Sequence, residues 1–211
     1  MKKLFFAALV GFSAVANAAT VMPAGDAANG KSQTMMCSAC HGQDGNSAAP
    51  SFPKLAGQGA KYLYKQLVDV RDGNRNILQM TGMLNGKSDQ DLADMAAYYA
   101  SQAMSGAKAD PALVDLGQKI YNGGNADTGV AACIACHGPN GKGLAPAGYP
   151  RLAGQHADYI AAQLTMYRTG YDDKAGRTND GDTKIMRATA RGLSDAQIKA
   201  VASYASGLIA E

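Results

Sequence analysis

Cys37-Ser38-Ala39-Cys40-His41 recurs as Cys133-Ile134-Ala135-Cys136-His137, and the two pentads use all four cysteines of the 211-residue chain. On a short helix, residues at i, i+3 and i+4 share one face, so each pentad presents two thiols and an imidazole side by side. C-x-x-C-H is the attachment signature of c-type haem. The thiols add across two porphyrin vinyl groups, and the histidine points a ring nitrogen at the iron. Other uses of the cysteines fit less well. A zinc site draws its pairs from short separations, whereas these pairs lie 96 residues apart. A thioredoxin-like motif expects a single C-x-x-C in a βαβ setting, and strand patterning is sparse here. Two disulfides would suit an exported protein, but the doubled pentad favours haem. The pattern predicts two covalent haem c groups on Cys37, Cys40, Cys133 and Cys136, with His41 and His137 as axial ligands.

The N-terminus supports that chemistry. Met1-Lys2-Lys3 is followed by an apolar run from Leu4 to Val15 and by Ala16-Asn17-Ala18, the layout of a secretory signal peptide with an A-x-A cleavage site. The run is too short to span a bilayer comfortably. Residues 1–18 are therefore read as a signal peptide, and the mature chain is expected in the periplasm, where bacterial c-type haem is attached. Loss of Lys2 and Lys3 leaves a net charge of about +1, and haem propionates would bring it to neutral or slightly acidic. No basic stripe suggests nucleic acid or an anionic membrane surface.

The remainder duplicates. Phe52-Pro53-Lys54-Leu55-Ala56-Gly57-Gln58 returns as Tyr149-Pro150-Arg151-Leu152-Ala153-Gly154-Gln155 at an offset of 97, as do Tyr62, Gln66-Leu67 and Arg71 in Tyr159, Gln163-Leu164 and Arg168. Ser88 to Tyr98 matches Ser194 to Tyr204 at an offset of 106, and Gly30-Lys31 matches Gly117-Gln118 at 87. The second copy is thus longer in two Gly/Asn/Asp-rich loops, around residues 121–129 and 171–182. Domains are expected at 19–102 and 112–211, with a linker at 103–111. Each copy reads as mostly helical: one helix leading to the pentad, one over 60–71 and 157–167, and a last one opened by Ser88 or Ser194. The latter begins an S-x-x-Q capping box and the former a near match. Leu92, Met95, Ala96 and Tyr99 then recur at helical spacing, as do Ile198, Val201, Ala202 and Ala205. A domain of about 90 residues without tryptophan has little apolar material for a core. A haem would serve as that core, and the chain without it should fold poorly.

The repeat also selects among ten methionines. Met80 and Met186 each stand eight residues before the capping serine, so they align, while Met83 aligns with Thr189 and Met166 with Asp69. Met35 and Met36 have no sulfur counterpart beside the second pentad. Met80 and Met186 are the expected second axial ligands, with Met83 the competing choice for the first haem. His/Met ligation suits electron carriers and leaves no open iron position for a substrate. Pro53 and Pro150 follow the pentad histidines by 12 and 13 residues. Their carbonyls are candidates to take the outer N–H of each ligating imidazole, placing Leu55 and Leu152 at the haem faces; an ordinary proline turn explains the spacing equally well. His156, with Gly59 in the equivalent place, reads as a surface or loop histidine. Arg71, Arg75, Arg168 and Arg177 could pair with propionates, though a solvated surface is the plainer reading for each.

Taken together, the doubled pentad, the doubled F/Y-P-K/R-L-A-G-Q, the stretch Arg177-Thr178-Asn179-Asp180-Gly181-Asp182-Thr183 before Ile185-Met186, and Leu78-Gln79-Met80-Thr81-Gly82-Met83 resemble the cytochrome c4 family. The resemblance covers essentially the whole mature chain. It implies an all-α protein of two tandem class I cytochrome c domains related by pseudo-two-fold symmetry, each wrapped around one covalent haem, with propionate edges facing across the interface. It implies Met80 and Met186 as axial ligands and Pro53 and Pro150 as the carbonyl partners of the haem histidines. It further implies a monomeric periplasmic electron carrier, taking electrons from a quinol-oxidising complex or another carrier and passing them toward a terminal oxidase. The competing functions are a di-haem redox enzyme, such as a peroxidase or a sulfur-compound dehydrogenase, and a fixed electron-entry subunit of a larger oxidase or dehydrogenase. Either enzyme would need an open or exchangeable iron.

Overall fold

The structure, a computed structural model, describes residues 21–210; the predicted signal peptide lies outside them. Among the described residues the fold is helical, with two isolated β-bridges, Asn125 to Val130 and Leu144 to Tyr149, and no strand. The first half contains α1 (Ala27–Gln33), α2 (Ser38–His41), α3 (Ala60–Arg71) and α4 (Asp89–Ala100). The second contains α5 (Val114–Gly123), α6 (Ile134–His137), α7 (Ala157–Asp172), α8 (Ile185–Arg191) and α9 (Asp195–Ser206). Among the described residues no helix is long and apolar enough to cross a membrane.

The two halves are assembled alike because they repeat the same local instructions. Asp26 caps α1 through its carboxylate, which accepts the N–H groups of Ala28 and Asn29. Ser88 and Ser194 open α4 and α9 with complete capping boxes, closed by Asp91 and Gln197. In each half the helix before the pentad crosses the last helix, α1 on α4 and α5 on α9. The aligned glycines lie at those crossings. A Cβ on Gly30 would stand 2.0 Å from the Asp94 carbonyl oxygen, and one on Gly117 would stand 2.4 Å from that of Ala200. Only a residue without a side chain lets the backbones meet there.

Apolar faces then close two separate cores. Leu63, Tyr64, Leu84, Leu92, Met95 and Tyr99 form the first. Ile120, Tyr121, Ile160, Leu164, Ile198 and Val201 are central to the second. The helix over 60–71 has the predicted bounds, whereas its counterpart α7 runs five residues past Tyr167 to Asp172. A second difference follows from glycine. Residues 78–86 are a 3-10 turn, Leu78–Met80, and further turns with Gly82 and Gly86 at positive φ. The equivalent 184–192 keeps the second glycine as Gly192 but has Ala188 in place of Gly82, and its residues Ile185–Arg191 form α8.

The segment between the halves is held rather than free. Asn46 donates to the Ala103 carbonyl and accepts the Ser105 N–H, Lys54 Nζ donates to the Ser105 carbonyl at 2.9 Å, and the Asp110 N–H reaches Ser203 Oγ. The halves meet through reciprocal contacts of their equivalent glutamines, as a two-fold relation produces. Gln58 bonds the backbone of Arg151, and Gln155 bonds the backbone of Lys54. Gln66 accepts from Arg177, and Gln163 accepts from Arg75.

Candidate haem sites

Each pentad is a single helical turn. The His41 N–H donates to the Cys37 carbonyl at 2.9 Å, and His137 repeats this with Cys133 at 2.9 Å. Gly42 and Gly138 end the turns at φ 79° and 76°, a backbone region that disfavours any residue with a side chain. The four cysteines are not joined in disulfides. Among the described residues no group of three or more His, Cys, Asp or Glu side chains is placed to hold a metal ion.

Both imidazoles are buried, His41 8 % and His137 6 % exposed. Nδ1 of His41 lies 2.9 Å from the Pro53 carbonyl oxygen, and Nδ1 of His137 lies 2.9 Å from that of Pro150. A carbonyl only accepts, so Nδ1 carries the proton and Nε2 keeps its lone pair. Burial pushes both rings below the usual histidine range, more than the carbonyl bonds raise them. The neutral imidazole with a free Nε2 is the form that binds iron. Phe52 packs edge-on against His41, with centroids 6.3 Å apart.

In each half a pentad cysteine, a leucine and a methionine pack against the same core. Cys37, Leu55 and Met80 pack against the first core, and Cys133, Leu152 and Met186 against the second. Both methionines are half-buried, but their settings differ. Met80 ends the 3-10 turn. Met186 sits in the first turn of α8, where the Asp180 carboxylate accepts the Arg187 N–H at 2.9 Å and its Nε at 2.5 Å. Met83 is also at the first site, lining a cavity of about 350 Å³ with Met35, Met36, Cys37 and Met95. Two thiols, an imidazole with its outer nitrogen engaged, an apolar wall and nearby thioethers make a donor set that fits covalent haem.

The structure revises the outer residues. His156 is an interface residue, not a surface one: it precedes α7, and its Nε2 lies 2.9 Å from the Ser47 carbonyl and 3.0 Å from Ser47 Oγ of the other half. Arg177 is not solvated either. It is 5 % exposed, lies over the Tyr167 ring and bonds Gln66, Gln163 and Asn179. Arg75 bridges Gln66, Tyr159 and Gln163. Arg71 and Arg168 pair instead with Asp89 and Asp195 at the openings of the last helices. The interface glutamines carried a signal that the repeat alone displays: Gln58/Gln155 and Gln66/Gln163 keep a polar residue in both copies, which a solvated loop would not require.

The family model for cytochrome c matches the chain twice, at residues 27–103 and 114–208. A cytochrome c4 of Pseudomonas aeruginosa is 53 % identical over 210 residues, covering 99 % of this chain and 100 % of the relative. The chain belongs to the cytochrome c4 family. The reduced recombinant cytochrome c4 from Pseudomonas stutzeri superposes with a TM-score of 0.84 at 53 % identity, over 88 % of this chain and 100 % of that one. A thiosulfate dehydrogenase electron acceptor of Stutzerimonas stutzeri is 37 % identical over 174 residues, 81 % of this chain and 77 % of that protein. The expected fold, two tandem all-α cytochrome c domains, is the one observed. Membership of the cytochrome c4 family makes the chain a cytochrome c electron carrier with covalently bound haem c, and each matched segment contains one pentad.

Proposed function

We propose that the chain is a periplasmic two-haem electron carrier. Cys37 and Cys40 attach one haem in a domain at 19–102, and Cys133 and Cys136 attach the other in a domain at 112–211, across a linker at 103–111 and after removal of residues 1–18. His41 and Met80 are the axial ligands of the first, His137 and Met186 of the second. The observation that carries this reading is the pair of 2.9 Å bonds from Nδ1 to Pro53 and Pro150, which leave a ligating nitrogen free on each buried ring. Bound haem supplies one-electron exchange between ferrous and ferric iron. The protein's part is to hold both axial positions in both oxidation states, so that no substrate enters and little reorganises on transfer. Leu55 and Leu152, packed against the two cores, would lie at the haem faces, and the soft thioethers favour the ferrous state.

Electrons are expected from a quinol-oxidising complex or another carrier and pass toward a terminal oxidase, with the protein working as a monomer. The likeness to a thiosulfate dehydrogenase electron acceptor favours a second donor class, a sulfur-compound dehydrogenase. The ligand assignment is tested on the oxidised protein by its sulfur-to-iron charge-transfer band. The band should fall by about half in Met80→Ala and again in the double variant with Met186→Ala, since each iron contributes one thioether. A band unchanged by either substitution rejects that methionine, and a band lost in Met83→Ala would transfer the first site to Met83.

A further inference from the structure

We propose that Gln58 and Gln155 are crossed positioning residues, each standing in one domain and setting the haem-binding histidine of the other. The inference rests on the histidine ligation proposed above. Gln155 Nε2 donates to the Lys54 carbonyl at 2.9 Å, and its Oε1 accepts the Lys54 N–H at 2.8 Å, both bonds buried. Gln58 does the same to Arg151, donating at 3.0 Å and accepting at 2.7 Å. Lys54 and Arg151 directly follow the two prolines whose carbonyls receive the histidine Nδ1–H.

The Pro53 carbonyl and the Lys54 N–H therefore belong to one peptide unit, which resonance keeps planar. One end of that unit holds His41, and the other is held by Gln155 of the opposite domain. The Pro150–Arg151 unit joins His137 to Gln58 in the same way. Each glutamine is itself aimed by its own domain, because its Oε1 also accepts the next N–H, Gly59 at 3.0 Å and His156 at 3.1 Å, just before α3 and α7.

Two consequences follow. A planar unit gripped at one end cannot rotate at the other, so the glutamine restrains the imidazole plane. Hydrogen bonds in a chain also polarise one another. Acceptance of the amide N–H by glutamine makes the same unit's carbonyl a stronger acceptor for Nδ1–H. A stronger bond there makes the imidazole a more basic ligand, which favours ferric iron. Removal of a glutamine should raise the tendency of the opposite haem to be reduced and leave the haem of its own domain unchanged.

The test uses the full-length protein with both haems attached, and the two sets of haem methyl resonances are assigned through the methionine variants. In Gln155→Met, the reduced-to-oxidised ratio of the first haem at a fixed applied potential should rise about threefold, a smaller effect than the roughly 10–100-fold loss of metal affinity or activity that follows removal of a ligand's own hydrogen-bond partner. The second haem should stay within about 1.5-fold of its original ratio. Gln58→Met should give the mirror pattern, with the shift on the second haem. If Gln155→Met fails to retain haem, Gln155→Asn carries the same expectation, because it keeps an amide in the buried position but draws it back by one methylene. A shift on the haem of the substituted domain, an equal shift on both, or none on either overturns the proposal. Intact axial-histidine resonances in the unsubstituted protein without a crossed shift reject the crossed control alone. Their absence rejects the histidine ligation, and the crossed control with it.

Discussion

Asp94 is 1 % exposed on α4, and both of its oxygens are engaged. It accepts the Asp26 N–H at 2.8 Å, the Gln90 amide at 2.8 Å and the Asn29 amide at 2.5 Å. The Asp26 N–H, with the Gln90 and Asn29 amides, holds its carboxyl below the usual aspartate range. A depressed carboxyl adds stability above its unfolded value of about 3.9, and that stability is lost as pH falls through the lower folded value. The first domain should therefore weaken below about pH 4, and Asp94→Asn should flatten that acid limb in denaturant titrations followed against pH. The equivalent position in α9 is Ala200, so the second domain should lack this response. Periodicity missed Asp94 because a carboxylate beside an apolar stripe reads as solvated face. Its burial needs α1 laid across α4, a contact between residues 68 apart.

At the scale of the element, the crossings of α1 on α4 and α5 on α9 depend on Gly30 and Gly117. The neighbour that an added methyl group would meet is helix backbone, which cannot rotate aside. Gly30→Ala and Gly117→Ala should each cost about 1–3 kcal/mol, read as a lowered denaturation midpoint, even though alanine is the better helix former. A gain in stability from either would show that the helices can separate at no cost. Helix existence and caps were legible in the chain, since Ser88, Asp91, Ser194 and Gln197 act within their own turns. The local form of the methionine segments was not. Met80 and Met186 align by offset, yet one ends a 3-10 turn and the other lies on α8, which the Asp180–Arg187 pair holds at its start.

Across the whole molecule, the two halves share a polar interface centred on Arg177. Its guanidinium bonds Gln66 at 2.8 Å and Gln163 at 2.7 Å, and Arg75 approaches the same two oxygens from the other half. Burying this charge is costly unless its donors stay paired. Arg177→Ala should remove about 1–3 kcal/mol of stability and loosen the coupling between halves. Calorimetry should then resolve two unfolding transitions in place of the single one expected of the unsubstituted protein; a single unaltered transition would show that the halves are coupled by other contacts.

The linear order of residues contained the two Cys-x-x-Cys-His turns and the helix caps, each set by neighbours within a few positions along the chain, and it displayed the duplication directly. The carbonyls of Pro53 and Pro150 could be named from spacing but not told from ordinary turns until the imidazoles were seen 2.9 Å away. The repeat kept Gln58 and Gln155 polar without saying what they bond, and their interface roles, with those of His156 and Arg177, came from the folded molecule. A polar side chain has the same local preferences whether it meets water or another domain's backbone, and only long-range packing chooses between them.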